Sequence, residues 1–178
     1  GMDILLCSAY KFFGPHLGII YCKKDVGEQI KTARVMAYDN VEMPYRLETG
    51  TIAMEAVVGA AEAVEFIADI GRQHSQYFEE ETAALSGRRK RIVSGLLAID
   101  KYEEALADQL RAGISQLPGA KVYGPPVGHP RTATVSFTIS GIHSNKIARF
   151  LAERGIFVWD GDFYAIETIL HTLKMDAC

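Results

Sequence analysis

Cysteine is scarce in this chain and forms no pattern. Cys7, Cys22 and Cys178 make no CxxC pair and no ligand cluster with histidine, so no structural zinc or other metal site is expected, and the usage suits a reducing cytoplasm. No apolar run is long enough to span a bilayer, and no basic stretch precedes a signal-type apolar core, so neither a membrane anchor nor a targeting peptide is expected. Neither sign of charge dominates: a net charge of -3 argues against general binding to nucleic acid or to an anionic membrane. Internal repeats and low-complexity segments are absent. Gly1 ahead of Met2 reads as a residue left after tag removal. What is there is ordinary globular composition, 48% hydrophobic and 23% charged, in 178 residues. That length fits one domain, or a domain and part of another, with a proper core.

The most informative stretch is Asp3–Tyr21, DILLCSAYKFFGPHLGIIY. Ile4–Cys7 and Leu17–Cys22 are short β-rich apolar runs, of the kind expected for strands buried on both faces, and Gly14-Pro15 sets the turn between them. The layout delivers one amine, Lys11, out of a hydrophobic sheet into a loop. Desolvation there can strip the charge from a lysine and make it a nucleophile toward a carbonyl, a pyridoxal aldehyde included. A solvated lysine in a hairpin turn gives the same spacing. The apolar Ile4–Cys7 strand, beginning with nothing before it to cover it, should seek pairing with another copy or with a missing segment. A homodimer or larger assembly is therefore expected.

Lys23–Tyr45 carries a weak signal: a helix fragment, then an irregular loop through Tyr38-Asp39-Asn40 and Pro44. Arg46-Leu-Glu-Thr-Gly-Thr51 leads into a helix whose buried face is Met54, Val57, Val58, Ala61, Val64, Ile67 and Ala68, with Gly71 as its stop. Gly50 and Thr51 thus mark a helix N-terminus, where free N–H groups and the helix dipole favour an anion. A plain N-cap role for Thr51 is the alternative. His74–Leu97 predicts a polar helix, and Tyr102, Leu106, Leu110, Ile114 and Leu117 a second, amphipathic one closed by Pro118-Gly119. The basic run Arg88–Arg91 sits among glutamates and reads as a solvated face rather than a nucleic-acid patch.

Lys121–Tyr123 is a short strand candidate, and Thr132–Ile139 alternates, with Ala133, Val135, Phe137 and Ile139 on its dry face. Ser144 is placed as the cap of a helix over Asn145–Arg154 that Gly155 ends, and Ile156–Trp159 predicts a further strand. The fold class expected is α/β plus α+β. A remnant of buried sheet occupies residues 1–71, and a small unit with an antiparallel sheet and helices on one face occupies 72–178, with the boundary near Gly71.

Three segments together resemble a known family. Ser8-Ala-Tyr-Lys11-Phe-Phe-Gly-Pro-His-Leu-Gly18 is similar to the cofactor-lysine segment of class V aminotransferases, the cysteine-desulfurase-like branch of fold-type I pyridoxal-phosphate enzymes. Arg46–Thr51 is similar to the family's glycine–threonine turn, and Thr134–Thr138 with Trp159-Asp-Gly-Asp-Phe-Tyr-Ala165 resembles its C-terminal domain. The resemblance implies that residues 1–71 belong to the large cofactor-binding domain and 72–178 to the small one. It implies that Lys11 forms the internal aldimine with pyridoxal 5'-phosphate and shuttles the proton at the substrate's α-carbon. Ser8 and Tyr10 would donate to the cofactor phosphate, and Gly50 and Thr51 would bind the phosphate held by a neighbouring subunit. An amino acid is the implied substrate, with transamination, or elimination and lyase chemistry, the reaction.

The chain departs from the family pattern in two ways. Tyr164 stands where persulfide-forming desulfurases place a cysteine, and Trp159 replaces an arginine near the substrate, so persulfide chemistry is not expected. The upstream phosphate turn, the ring-stacking aromatic and the aspartate of the ring nitrogen are not in the sequence, and Asp3 stands too close to Lys11 to serve as that aspartate. The family's closing segment, with its substrate-carboxylate arginine, is also missing. The expectation is a C-terminal part of the fold, cut short at both ends and inactive by itself. A non-catalytic homologue serving as a dimerisation or scaffold module shares every one of these features.

Overall fold

The computed structural model describes residues 1–33, 42–48 and 50–175; the loop expected around Tyr38-Asp39-Asn40 lies outside them, as do Thr49 and Cys178. The chain divides into two compact units, Gly1–Ala98 and Ile99–Cys178, so residues 72–98 fall in the first unit.

In the first unit, β1 (Ile4–Ser8) and β2 (Gly18–Cys22) form an antiparallel hairpin with Leu6 opposite Ile20 and Ser8 opposite Gly18. The β-branched and aromatic residues of both runs suit a pleated ladder. Burial on both faces, expected from the sequence, is not what this chain provides: Leu6 is 70% and Ile20 59% exposed. Two strands alone cannot cover their own faces, so apolar residues on either side of the ladder stay in contact with water. Lys23 closes the open end of the hairpin, its Nζ 2.7 Å from Asp3 Oδ1, which commits Asp3 to a hairpin contact. A short helix, α1 (Lys24–Gln29), follows.

The long helix α2 runs Met54–His74. Its buried residues are Ala60, Ala63, Ile67, Ala68 and Gly71, whereas Met54 and Val58 of the expected face are 66% and 61% exposed. Gly71 does not stop the helix. A Cβ there would stand 1.8 Å from Arg91 O, and one on Gly95 would stand 2.0 Å from Ile67 O. The two glycines let α2 and α3 (Gly87–Ser115) touch backbone to backbone. The polar helix expected over His74–Leu97 is instead a 3-10 turn at Ser75–Tyr77 and a connection that ends where Gly87, at φ +56°, starts α3. Thr82, fully buried in that connection, donates from Oγ1 to Phe78 O at 2.6 Å. From Gly87 onward the two expected helices are one.

In the second unit the C-terminal half of α3 buries Ala107, Arg111 and Ile114. Gly119, at φ +75°, turns the chain into β3 (Ala120–Tyr123), which pairs antiparallel with β4 (Ser136–Ile139). Tyr123 Oη lies 3.1 Å from Thr138 Oγ1 and ties the pair together. Helix α4 (Ser144–Ala152) is capped by His143, whose Nδ1 accepts from the Asn145 N–H at 3.2 Å; the cap expected at Ser144 sits one residue early. The helix stops at Ala152 with Glu153 as its C-cap, two residues short of the expected Arg154, and Gly155, at φ +73°, turns the chain away after it. The strand expected over Ile156–Trp159 does not form: the segment is irregular, with Phe157 85% and Trp159 76% exposed. A strand needs a ladder partner, and β-rich composition alone does not supply one. A π-helical turn, Thr168–Thr172, follows.

Candidate functional site

The site builds outward from the end of β1. Ser8 is the last strand residue, and Ala9–Phe12 then closes into a 3-10 turn that carries Tyr10 and Lys11. Phe13 terminates it in the left-handed region at φ 69°, an uncommon conformation for an aromatic residue. Ala9, fully buried, anchors the turn: its N–H donates to Leu17 O at 2.8 Å, and its carbonyl accepts from Gly14 N–H at 2.9 Å. Gly14 approaches so closely that a Cβ on it would lie 2.9 Å from Ala9 Cβ. Two contacts then clamp the loop onto α2. Phe13 meets Phe66 edge to face with ring centroids 5.6 Å apart, and Pro15 lies over Gly59, where a Cβ would meet its ring at 3.3 Å. The turn is thus fixed by backbone hydrogen bonds and by packing, as a site that must aim one side chain requires.

Within this frame Tyr10 and Lys11 share the turn, and Ser8 precedes it at the end of β1. The Ser8 hydroxyl is not used to cap the 3-10 turn, which leaves it available to a ligand. Lys11 Nζ lies 5.8 Å from the centre of the Tyr10 ring, and Tyr10 stacks on His16 at 5.1 Å. His16 went unnoticed in the sequence. Its position six residues past Tyr10 becomes a contact only because Gly14-Pro15 folds the chain back. Lys11 itself is exposed, so the desolvation that makes a lysine nucleophilic is not supplied by the residues of this chain around it.

Gly50 and Thr51 sit differently from the expectation. Both are exposed in the irregular segment leading to α2, which starts at Met54 with Ala53 as its flanking residue, three positions beyond Thr51. Two of the four residues of the Arg88–Arg91 run pair with glutamates: Arg88 Nε donates to Glu65 Oε1 at 2.7 Å, and Lys90 Nζ lies 3.2 Å from Glu79 Oε2. Among the described residues, no three His, Cys, Asp or Glu side chains gather where they could hold a metal, and no helix is long and apolar enough to cross a membrane.

The loop 161–165 is strained at its tip. Gly161, Phe163 and Tyr164 have φ of 119°, 54° and 62°, and Asp162 Oδ1 accepts from the Tyr164 N–H at 2.9 Å. The Tyr164 side chain is 96% exposed.

Comparison with known proteins gives a consistent result. The family model for class-V aminotransferases matches residues 1–89 and 90–177. A probable cysteine desulfurase of Synechocystis sp. is 25% identical over 171 residues, covering 89% of this chain and 35% of that protein. One of Halalkalibacterium halodurans is 28% identical over 172 residues, covering 90% and 36%. Among solved structures, the apo cysteine desulfurase from Thermococcus onnurineus NA1 superposes with a TM-score of 0.72 over 98% of this chain and 40% of that one, at 21% identity, a likeness that shows the fold alone. The chain therefore spans little more than a third of the length of the curated relatives it matches.

Proposed function

Because the chain belongs to the class-V aminotransferase family, whose members depend on pyridoxal phosphate, we propose that it is the C-terminal part of an aminotransferase- or lyase-type enzyme acting on an amino acid, with Lys11 as its cofactor lysine. The observation that carries this is the Ser8–Gly14 turn, in which a hydroxyl, a phenol and an amine leave one rigid corner clamped on α2. The donor chemistry fits the cofactor: an amine for an aldehyde, and hydroxyl and phenol groups for a phosphate. When bound, pyridoxal phosphate supplies that aldehyde and a ring that draws electrons from the amino acid's α-carbon. Lys11 would hold the aldehyde and then move the proton at the α-carbon. Ser8 and Tyr10 would hold the phosphate, and the hydroxyl and N–H of Thr51, with Gly50 beside it, would serve the phosphate of a neighbouring subunit as exposed donors of the irregular segment before α2, without the help of a helix N-terminus.

On this proposal residues 1–71 belong to the large cofactor-binding domain and 72–178 to the small one. Tyr164 supports chemistry other than persulfide formation, because a phenol has no thiol sulfur to accept one from the substrate. The free thiols Cys7 and Cys22 suit a cytoplasmic enzyme. Exposed Lys11 supports weak cofactor binding and no turnover by this chain alone.

A titration with pyridoxal phosphate, followed by visible absorbance, tests the proposal. Weak binding that disappears in Lys11→Ala is expected. Binding unchanged in Lys11→Ala would remove Lys11 from its role, and tight stoichiometric binding would overturn the incompleteness of the pocket. A second reading, a dimerisation module without catalysis, draws on the exposed Leu6–Ile20 pair of the hairpin. It expects the Lys11→Ala chain to associate as the parent does while no cofactor binding is detected in either.

A further inference from the structure

The second unit holds a half-open cavity of about 490 Å³, at the C-terminal half of α3 and the loop after β3. Its walls combine charge and apolar surface: Asp108, Arg111 and Arg131 on one hand, Val122, Pro126 and Val127 on the other. None of the residues assigned to the cofactor lines it.

Arg111 is the unusual member, because its side chain is only 7% exposed. Nη2 donates to Asp108 Oδ1, while Nε and Nη1 are buried without an acceptor. Arg131 donates from Nη1 to Pro125 O at 2.7 Å, and its Nε is likewise buried and unpartnered. Three N–H-bearing nitrogens of two guanidinium groups thus lack acceptors beneath the wall of one cavity. A buried cation with unmade hydrogen bonds is costly, and a guanidinium fork is shaped to take carboxylate oxygens. Both arginines line the space. The charges lining the cavity are two arginines and one aspartate, which leaves a single positive charge for a ligand to neutralise.

We infer that this cavity binds a small monocarboxylate with a short apolar tail, its carboxylate oxygens taken by Arg111 and Arg131 and its tail lying against Val122, Pro126 and Val127. A single negative charge matches the lining better than a phosphate dianion does. The apolar wall gives the tail a place that an inorganic ion would leave empty. This inference does not depend on the role of Lys11, and its test never involves pyridoxal phosphate.

The test uses the full chain and calorimetric titration at constant ionic strength with sodium butyrate, butyramide and inorganic phosphate, chloride serving as the balancing salt. Saturable binding of butyrate, with butyramide and phosphate both weaker, is the expected result. Arg131→Gln should weaken butyrate by about tenfold or more, since a charge-assisted donor is lost. Arg111→Lys, which keeps the charge but not the fork, should weaken it too while circular dichroism confirms folding; Arg131→Gln stands as the deciding variant where Arg111→Lys fails to fold. Absence of saturable butyrate binding overturns the inference, as does equal binding of butyramide, tighter binding of phosphate, or butyrate affinity unchanged in Arg131→Gln.

Discussion

Ala9 and Gly14 decide where the amine of Lys11 stands. Ala9 is fully buried and its carbonyl receives the Gly14 N–H, while the missing Cβ of Gly14 is what lets the two segments close. Gly14→Ala puts a methyl 2.9 Å from both Ala9 Cβ and Ala9 O, atoms that cannot swing away as a long side chain would. The expected cost is about 1 to 3 kcal/mol, read as a lower urea midpoint with the slope unchanged. The placement of Ser8, Tyr10 and Lys11 at one strand end was legible because they fall within four residues, Ser8 closing β1 and the turn after it carrying Tyr10 and Lys11. His16 was not, because its contact with Tyr10 exists only after the turn folds back. The sequence left a dry and a solvated Lys11 both open, because dryness comes from groups distant in sequence, and a local apolar run says only that cover is wanted; the structure shows the lysine exposed.

The α2–α3 crossing shows how far element-level patterns reach. The three-and-four spacing identified α2 and correctly placed Ile67 and Ala68 inside, since a helix face is a local property. The same spacing assigned Met54 and Val58 to a face that this chain leaves exposed. Gly71 was expected as a helix stop, and the position of Arg91 O shows that its missing Cβ serves close approach instead. Likewise nothing local joins residues 87–115 into one helix; the buried Thr82 and the left-handed Gly87 fix where it starts. Gly95→Ala is the sharp test of this contact, because its methyl would meet Ile67 O at 2.0 Å. It should destabilise by about 3 kcal/mol or more, lowering Tm by roughly 6 to 12 °C. An unchanged Tm would mean that the helices do not touch through these glycines. The irregular course of Ile156–Trp159 teaches the complementary lesson, that strand composition without a ladder partner leaves the chain irregular.

At the scale of the whole molecule, the exposed apolar hairpin is the feature that predicts association. Ile4, Leu6 and Ile20 share one face of the ladder by register, and all three are more than 40% exposed. A surface of this kind favours association, so light scattering should give at least twice the mass of a single chain at micromolar concentration, falling on replacement of Leu6 and Ile20 by polar residues. A single-chain mass at every concentration would count against it. The chain spans 34% to 37% of the length of the curated relatives it matches, and the family resemblance was readable because its most specific segment, around Lys11, lies inside that span. The catalytic reading rests on that one lysine. The most direct measurement is therefore to equilibrate the chain with pyridoxal phosphate, reduce with borohydride and map the pyridoxyl adduct by mass spectrometry. An adduct concentrated on Lys11 above the other lysines, and reduced in Ser8→Ala, is the expected outcome; an even spread over the exposed lysines, or a preferred site elsewhere, would contradict the assignment.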